Sequence, residues 1–120
     1  MADVVALVDD LFFQSKMMET ARQVGVDLRA CSTADALAAE ISANAPRLVV
    51  IDLNAQGNPL EALRQVQSLG DGISLIAYLS HVQTDLAESA RAAGCREVMP
   101  RSKFTRDLAA IFARAKSKTA

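Results

Sequence analysis

The sequence predicts an α/β fold, a doubly wound parallel sheet of five strands in the order 2-1-3-4-5, in a three-layer sandwich. Three observations predict it. Short apolar runs alternate with longer segments of helical periodicity. The runs at Val4–Val8, Leu48–Ile51 and Ile73–Leu79 are rich in branched residues, as suits strands buried on both faces. The intervening segments have the length of crossover connections, which require parallel strands and a right-handed path.

The chain of 120 residues suits one domain, 1–120, with a real core. No internal repeat, low-complexity segment or linker divides it. The composition is 51 % hydrophobic and 22 % charged, which excludes a disordered chain. Thirteen basic residues balance 14 acidic ones, which argues against a large nucleic-acid surface. Cys31 and Cys95 lack metal-ligand spacing, and a single histidine completes no zinc site. Two buried thiols in a reducing, cytoplasmic compartment are expected. No apolar run approaches the roughly 20 residues that cross a bilayer. Met1-Ala2-Asp3 lacks the basic region of a signal peptide.

The first strand, Val4–Val8, runs into Asp9-Asp10. A helix follows from Phe13 or Gln14 to Val24, stopped by Gly25, with Met17, Met18, Ala21 and Val24 on its apolar face. The strand Val26–Ala30 alternates with polar Asp27 and Arg29, so it belongs at an edge. Ser32 or Thr33 caps the next helix, which turns Ala36, Leu37, Ala39 and Ile41 inward and ends before Pro46. The central strand within Arg47–Asn54 ends at Asp52. A polar loop precedes Pro59, which opens a helix to about Leu69 that buries Leu60, Leu63 and Val66.

Gly70-Asp71-Gly72 breaks the chain before the strand Ile73–Leu79. Gln83 or Thr84 starts a helix carrying Leu86, Ala90 and Ala93, and Gly94 ends it. A short strand, Arg96–Met99, leads through Pro100-Arg101-Ser102 into a last helix from about Phe104 to Ala115. Leu108, Ile111 and Phe112 face inward there, and the tail from Lys116 is expected to fray.

On this frame Asp9, Asp10, Asp52, Ser80 and Arg101 all fall at the carboxyl edge of the sheet, where ligands collect. Neighbouring strands lie about 4.8 Å apart, so the first and third strands can bring their acids together. Crowded carboxylates repel unless a cation lies between them, and Mg²⁺ favours such oxygen ligands. Asn54 could add its backbone carbonyl. Asp52 would then be a nucleophile for a phosphoryl group, with Ser80 and Arg101 on the oxyanion. Asp, Asn and Ser also serve as caps and turn residues, and the pattern alone leaves both readings open.

The segments VVALVDD, LVVIDLN, LIAYLS and AAGCREVMPR resemble the receiver domain of two-component response regulators, over roughly residues 3 to 115. The resemblance implies a flavodoxin-like sandwich that is CheY-like but atypical. It implies a phospho-acceptor at Asp52 and Mg²⁺ held by Asp9, Asp10, Asp52 and the carbonyl of Asn54. Ser80 takes the place of the family's phosphoryl-binding hydroxyl. The implied partners are a histidine kinase or phosphotransfer protein, with a downstream protein target or a homodimer beyond it. The implied role is signalling rather than multiple-turnover catalysis.

Several family positions differ. Arg101 stands where the family has lysine, and it keeps the charge without the compact ammonium. Ser102 stands at the following proline, Ala55-Gln56 at Met-Pro, Leu60 at the loop glycine and Val98 at the aromatic switch. The segment from Ser80 to Gly94 is one residue short for the family, so Leu79 competes for the hydroxyl position. Ser80 is preferred on chemical grounds. These departures motivate a second reading, a pseudo-receiver that is not phosphorylated and serves protein interaction. A nucleotide-binding fold is disfavoured, because the glycine-free, acidic Asp9–Phe13 segment cannot cradle a phosphate.

Phe12 is expected to overhang the pocket, and exposure of Met17 or Met18 would mark the helix face the family uses for kinase docking. His81 is expected in a surface loop. Arg114, Lys116 and Lys118 suit a helix C-terminus better than a nucleic-acid patch.

Overall fold

A computed structural model of the chain describes residues 2–69, 72–80 and 84–116. The expectations for Gly70-Asp71, His81, Gln83, Lys118 and the end of the tail lie outside the described residues. Five strands, β1 (Val4–Leu7), β2 (Leu28–Cys31), β3 (Leu48–Asp52), β4 (Ser74–Leu79) and β5 (Glu97–Pro100), form one parallel sheet in the order β2-β1-β3-β4-β5. The expected fold class and order are therefore the observed ones. β2 lies at an edge as its alternation predicts, although it starts two residues later than expected.

Helices α1 (Leu11–Val24), α2 (Ala34–Asn44), α3 (Pro59–Ser68), α4 (Thr84–Ala92), α5 (Arg101–Arg106) and α6 (Leu108–Ala113) cover the sheet. Strand side chains alternate between its two faces. Val5, Leu7, Val49, Ile51, Leu75, Ala77 and Leu79 pack beneath α2, α3 and α4. Val4, Ala6, Val8, Leu48, Val50, Ile76 and Tyr78 pack beneath α1, α5 and α6.

Helix α1 begins earlier than its apolar spacing suggests. Asp10 is its N-cap and accepts from the backbone N–H groups of Phe12 and Phe13, which places exposed Leu11 and Phe12 in its first turn. Gly25, at φ 92°, takes the left-handed conformation that closes α1 with its N–H on the Ala21 carbonyl. Thr33 caps α2 through a bond from the Ala36 N–H. Leu37 and Ile41 face inward there, whereas Ala39 is exposed. The last helix is two helices, not one. It starts at Arg101 and breaks at Asp107, whose φ of −101° and ψ of 11° leave the helical range. The Asp107 carboxylate is held by Lys103 and Arg106 at that break. Cys95 is buried as expected, but Cys31 is only partly so.

Gly57 anchors the loop after β3. A Cβ there would sit 2.0 Å from the Ser32 carbonyl oxygen, so the loop passes against the turn before α2 only without a side chain. The Gly57 carbonyl accepts from the Ala34 N–H at 3.1 Å. This contact fixes the chain that carries Asn54.

Candidate functional site

Asp52 ends β3 on the same face as Leu48 and Val50, so it points toward α1 and α5 rather than α2 and α3. It is 5 % exposed, the one buried charged residue among the described residues. Its Oδ1 accepts from the Asn54 N–H at 2.8 Å. Burial pushes its carboxyl pKa up, and the negative charges of Asp9 and Asp10 push the same way. The Asn54 bond and the Arg101 charge oppose that rise without cancelling it.

The other predicted residues surround it with individual commitments. Asp9 Oδ2 accepts from the Gln56 N–H at 2.9 Å, which ties the end of β1 to the loop after β3. Asp10 accepts from Arg101 Nη2 at 2.7 Å while capping α1. Arg101, followed by the Phe13 N–H, holds its carboxyl pKa below the usual carboxylate range. Ser80 donates to Asn54 Oδ1 through both its N–H, at 2.6 Å, and its hydroxyl, at 2.9 Å. Leu79 faces the opposite core, so the alternation of β4 removes it from the site.

Arg101 also lies over Phe13, with its guanidinium carbon 4.2 Å from the ring centroid. Phe13 is buried at 5 % exposure beneath the Arg101 guanidinium, whereas Phe12 is 91 % exposed and so covers nothing at this edge. Tyr78 meets Phe13 edge-on at 5.3 Å and stacks on Phe104 at 4.6 Å. The Tyr78 hydroxyl is buried and has no hydrogen-bond partner. Burial, and next the Asp52 charge, raise its pKa strongly. Tyr78 and Phe13 were missed as members of this cluster. The available signal was strand alternation, which sets Tyr78 beside Asp52 when both strands end together. Val98, at the aromatic-switch position, is half-buried on the other face of the sheet.

Among the described residues no three acidic, histidine or cysteine side chains converge into a group that could hold a metal ion. Asp10 is the member turned aside, because its Oδ2 serves Arg101. Asp9 and Asp52 remain as oxygen donors at this edge. One or two carboxylates suffice for a Mg²⁺ that keeps most of its water, so the donor chemistry fits a hydrated ion and not a cage of three acids.

No protein-family model matches the sequence. No curated protein matches it either. Solved structures do match in shape. A response regulator receiver domain protein from Clostridium thermocellum aligns with a TM-score of 0.80 at 16 % identity, over 96 % of this chain and 94 % of that one. A CheY-like receiver domain protein from Methanospirillum hungatei gives 0.80 at 17 % identity, over 92 % and 90 %. NtrX from Brucella abortus gives 0.81 at 23 % identity over 95 % of this chain, which spans 26 % of NtrX. Identities this low speak to architecture alone. The chain has the fold of the response regulator receiver domains.

Proposed function

We propose that this chain is a single receiver domain of two-component signalling that accepts a phosphoryl group on Asp52. The observation that carries the reading is a buried carboxylate at the carboxyl end of the central strand of a receiver fold, between the Asp9-Asp10 loop and Ser80. A histidine kinase or phosphotransfer protein would supply the group. An Asp52 oxygen attacks phosphorus, and the bond from phosphorus to the donor's imidazole nitrogen breaks with its electron pair staying on that nitrogen. Asp9, Asp52 and the Asn54 carbonyl would hold Mg²⁺, joined by Asp10 when Arg101 releases it. When bound, the ion screens the charge between carboxylate and phosphate. Ser80 and Arg101 are the proposed phosphoryl contacts, and each must first leave its present partner, Asn54 or Asp10.

Exposed Leu11, Phe12 and Met18 on α1 support docking of a protein partner there. A net charge of −1 supports protein rather than nucleic-acid partners, either a downstream target or a second copy. Among the described residues no helix is long and apolar enough to cross a membrane. A cytoplasmic role in signalling, with no catalysis beyond slow loss of the phosphoryl group, fits these features.

The ion pair of Asp10 with Arg101 favours a second reading, a pseudo-receiver that binds proteins without being phosphorylated. Incubation with acetyl phosphate and Mg²⁺, read by intact mass, separates the two. Wild type is expected to gain one phosphoryl group and Asp52→Asn none. Equal labelling removes Asp52 as acceptor, and no labelling of either leaves the pseudo-receiver.

A further inference from the structure

The Tyr78 hydroxyl is a buried donor without an acceptor, a state that folded proteins avoid. Its ring cannot swing to water. Tyr78 is 1 % exposed and clamped between the stacked ring of Phe104 and the edge of Phe13. Asp52 and Tyr78 are register partners on β3 and β4, and the Leu53 N–H donates to the Tyr78 carbonyl at 2.8 Å beside them. Both side chains project to the α1–α5 face.

Among the described residues, the two polar side-chain donors flanking Asp52, Arg101 and Ser80, are engaged. Arg101 serves Asp10, and the Ser80 hydroxyl serves Asn54. Asp52 has one oxygen on the Asn54 N–H, and Arg101 forms no ion pair with it. We propose that Tyr78 is a positioning residue for Asp52, its hydroxyl donating to the Asp52 carboxyl and supplying the side-chain donor that Arg101 does not. The clamped ring holds still, so rotation of Asp52 closes the contact.

One consequence rests on the proposed acceptor role of Asp52. In hydrolysis of the acyl phosphate, water attacks phosphorus and the bond from phosphorus to the Asp52 oxygen breaks. The electron pair stays on the carboxylate, and the water proton leaves to solvent as inorganic phosphate departs. A hydroxyl donating to that carboxylate stabilises the charge as it develops, and so shortens the life of the phosphorylated state.

The test is Tyr78→Phe, which deletes the oxygen and keeps the ring, in full-length protein labelled with ¹³C-aspartate. Asp52→Asn assigns the Asp52 carboxyl resonance. In unphosphorylated protein that resonance is expected to shift between wild type and Tyr78→Phe. After labelling with acetyl phosphate, the variant's acyl phosphate is expected to live about tenfold longer, the ratio for one hydrogen bond to a charged group. An unchanged Asp52 resonance overturns the proposal, and so do equal lifetimes. If wild type takes no phosphoryl group, the acceptor reading falls, and the carbon shift alone decides whether Tyr78 holds Asp52.

Discussion

Arg101 reaches 91 residues back along the chain to donate to Asp10 at 2.7 Å, and it forms no ion pair with Asp52. That choice of partner orders the whole edge. It occupies one acid, places a cation over Phe13, and leaves Asp52 buried among negative charges.

Releasing Asp10 should favour a divalent cation. Arg101→Gln removes the competing charge and leaves a shorter, uncharged polar side chain. Mg²⁺ affinity, followed by chemical-shift titration, is expected to rise by about twofold to fivefold, as suits the release of an exposed ion pair. Unchanged or weaker binding would show that Asp10 does not compete for the ion.

The ion pair should also give a signed dependence on acid. The folded-state pKa of Asp10 lies below its ordinary value, so its charge stabilises the fold at pH values above that ordinary value. The contribution disappears as pH falls through the depressed pKa. Asp10→Asn preserves a capping side chain, so thermal melts should show a deficit at pH 7 that closes as pH falls below the ordinary carboxylate value and through the depressed one. A deficit independent of pH would assign the effect to capping geometry.

Asp52 should behave in the opposite sense. Its pKa is raised, so the folded state prefers the neutral acid and the ionised form opposes folding above that pKa. Asp52→Asn is expected to raise the melting temperature at pH 7, with the gain shrinking as pH falls through the raised pKa and gone below the ordinary carboxylate value. Equal melting temperatures at pH 7 would contradict the argument that burying this charge costs stability.

Gly57→Ala tests the loop anchor. Its methyl would meet the Ser32 carbonyl at 2.0 Å, so backbone must move. A loss of about 1–3 kcal/mol in denaturant unfolding is expected, the usual range for overpacking. Amide resonances of Asn54 and Gln56 should move with it. A neutral effect would mean that the loop yields freely.

Much of this architecture is legible in the alternation of runs. Val4–Leu7, Leu48–Asp52 and Ser74–Leu79 are buried strands close to where composition puts them, and the more polar second strand is an edge. Helix ends were less legible. Leu11 and Phe12 are exposed apolar residues, so apolar spacing starts α1 too late, while the Asp10 cap sets its true start. The break at Asp107 left no glycine or proline to mark it.

The sequence by itself determined the sheet order and the gathering of Asp9, Asp10, Asp52 and Ser80 at one edge, because strand length and crossover handedness leave few alternatives. Only the tertiary structure decided which partner each side chain takes. A shift of one residue along a strand reverses the face, which separates Tyr78 from Leu79 and sets Tyr78 beside Asp52. A long cation bonds to whichever acid the fold holds within reach. For Arg101 that acid is Asp10, fixed at the start of a helix whose buried Phe13 carries the guanidinium.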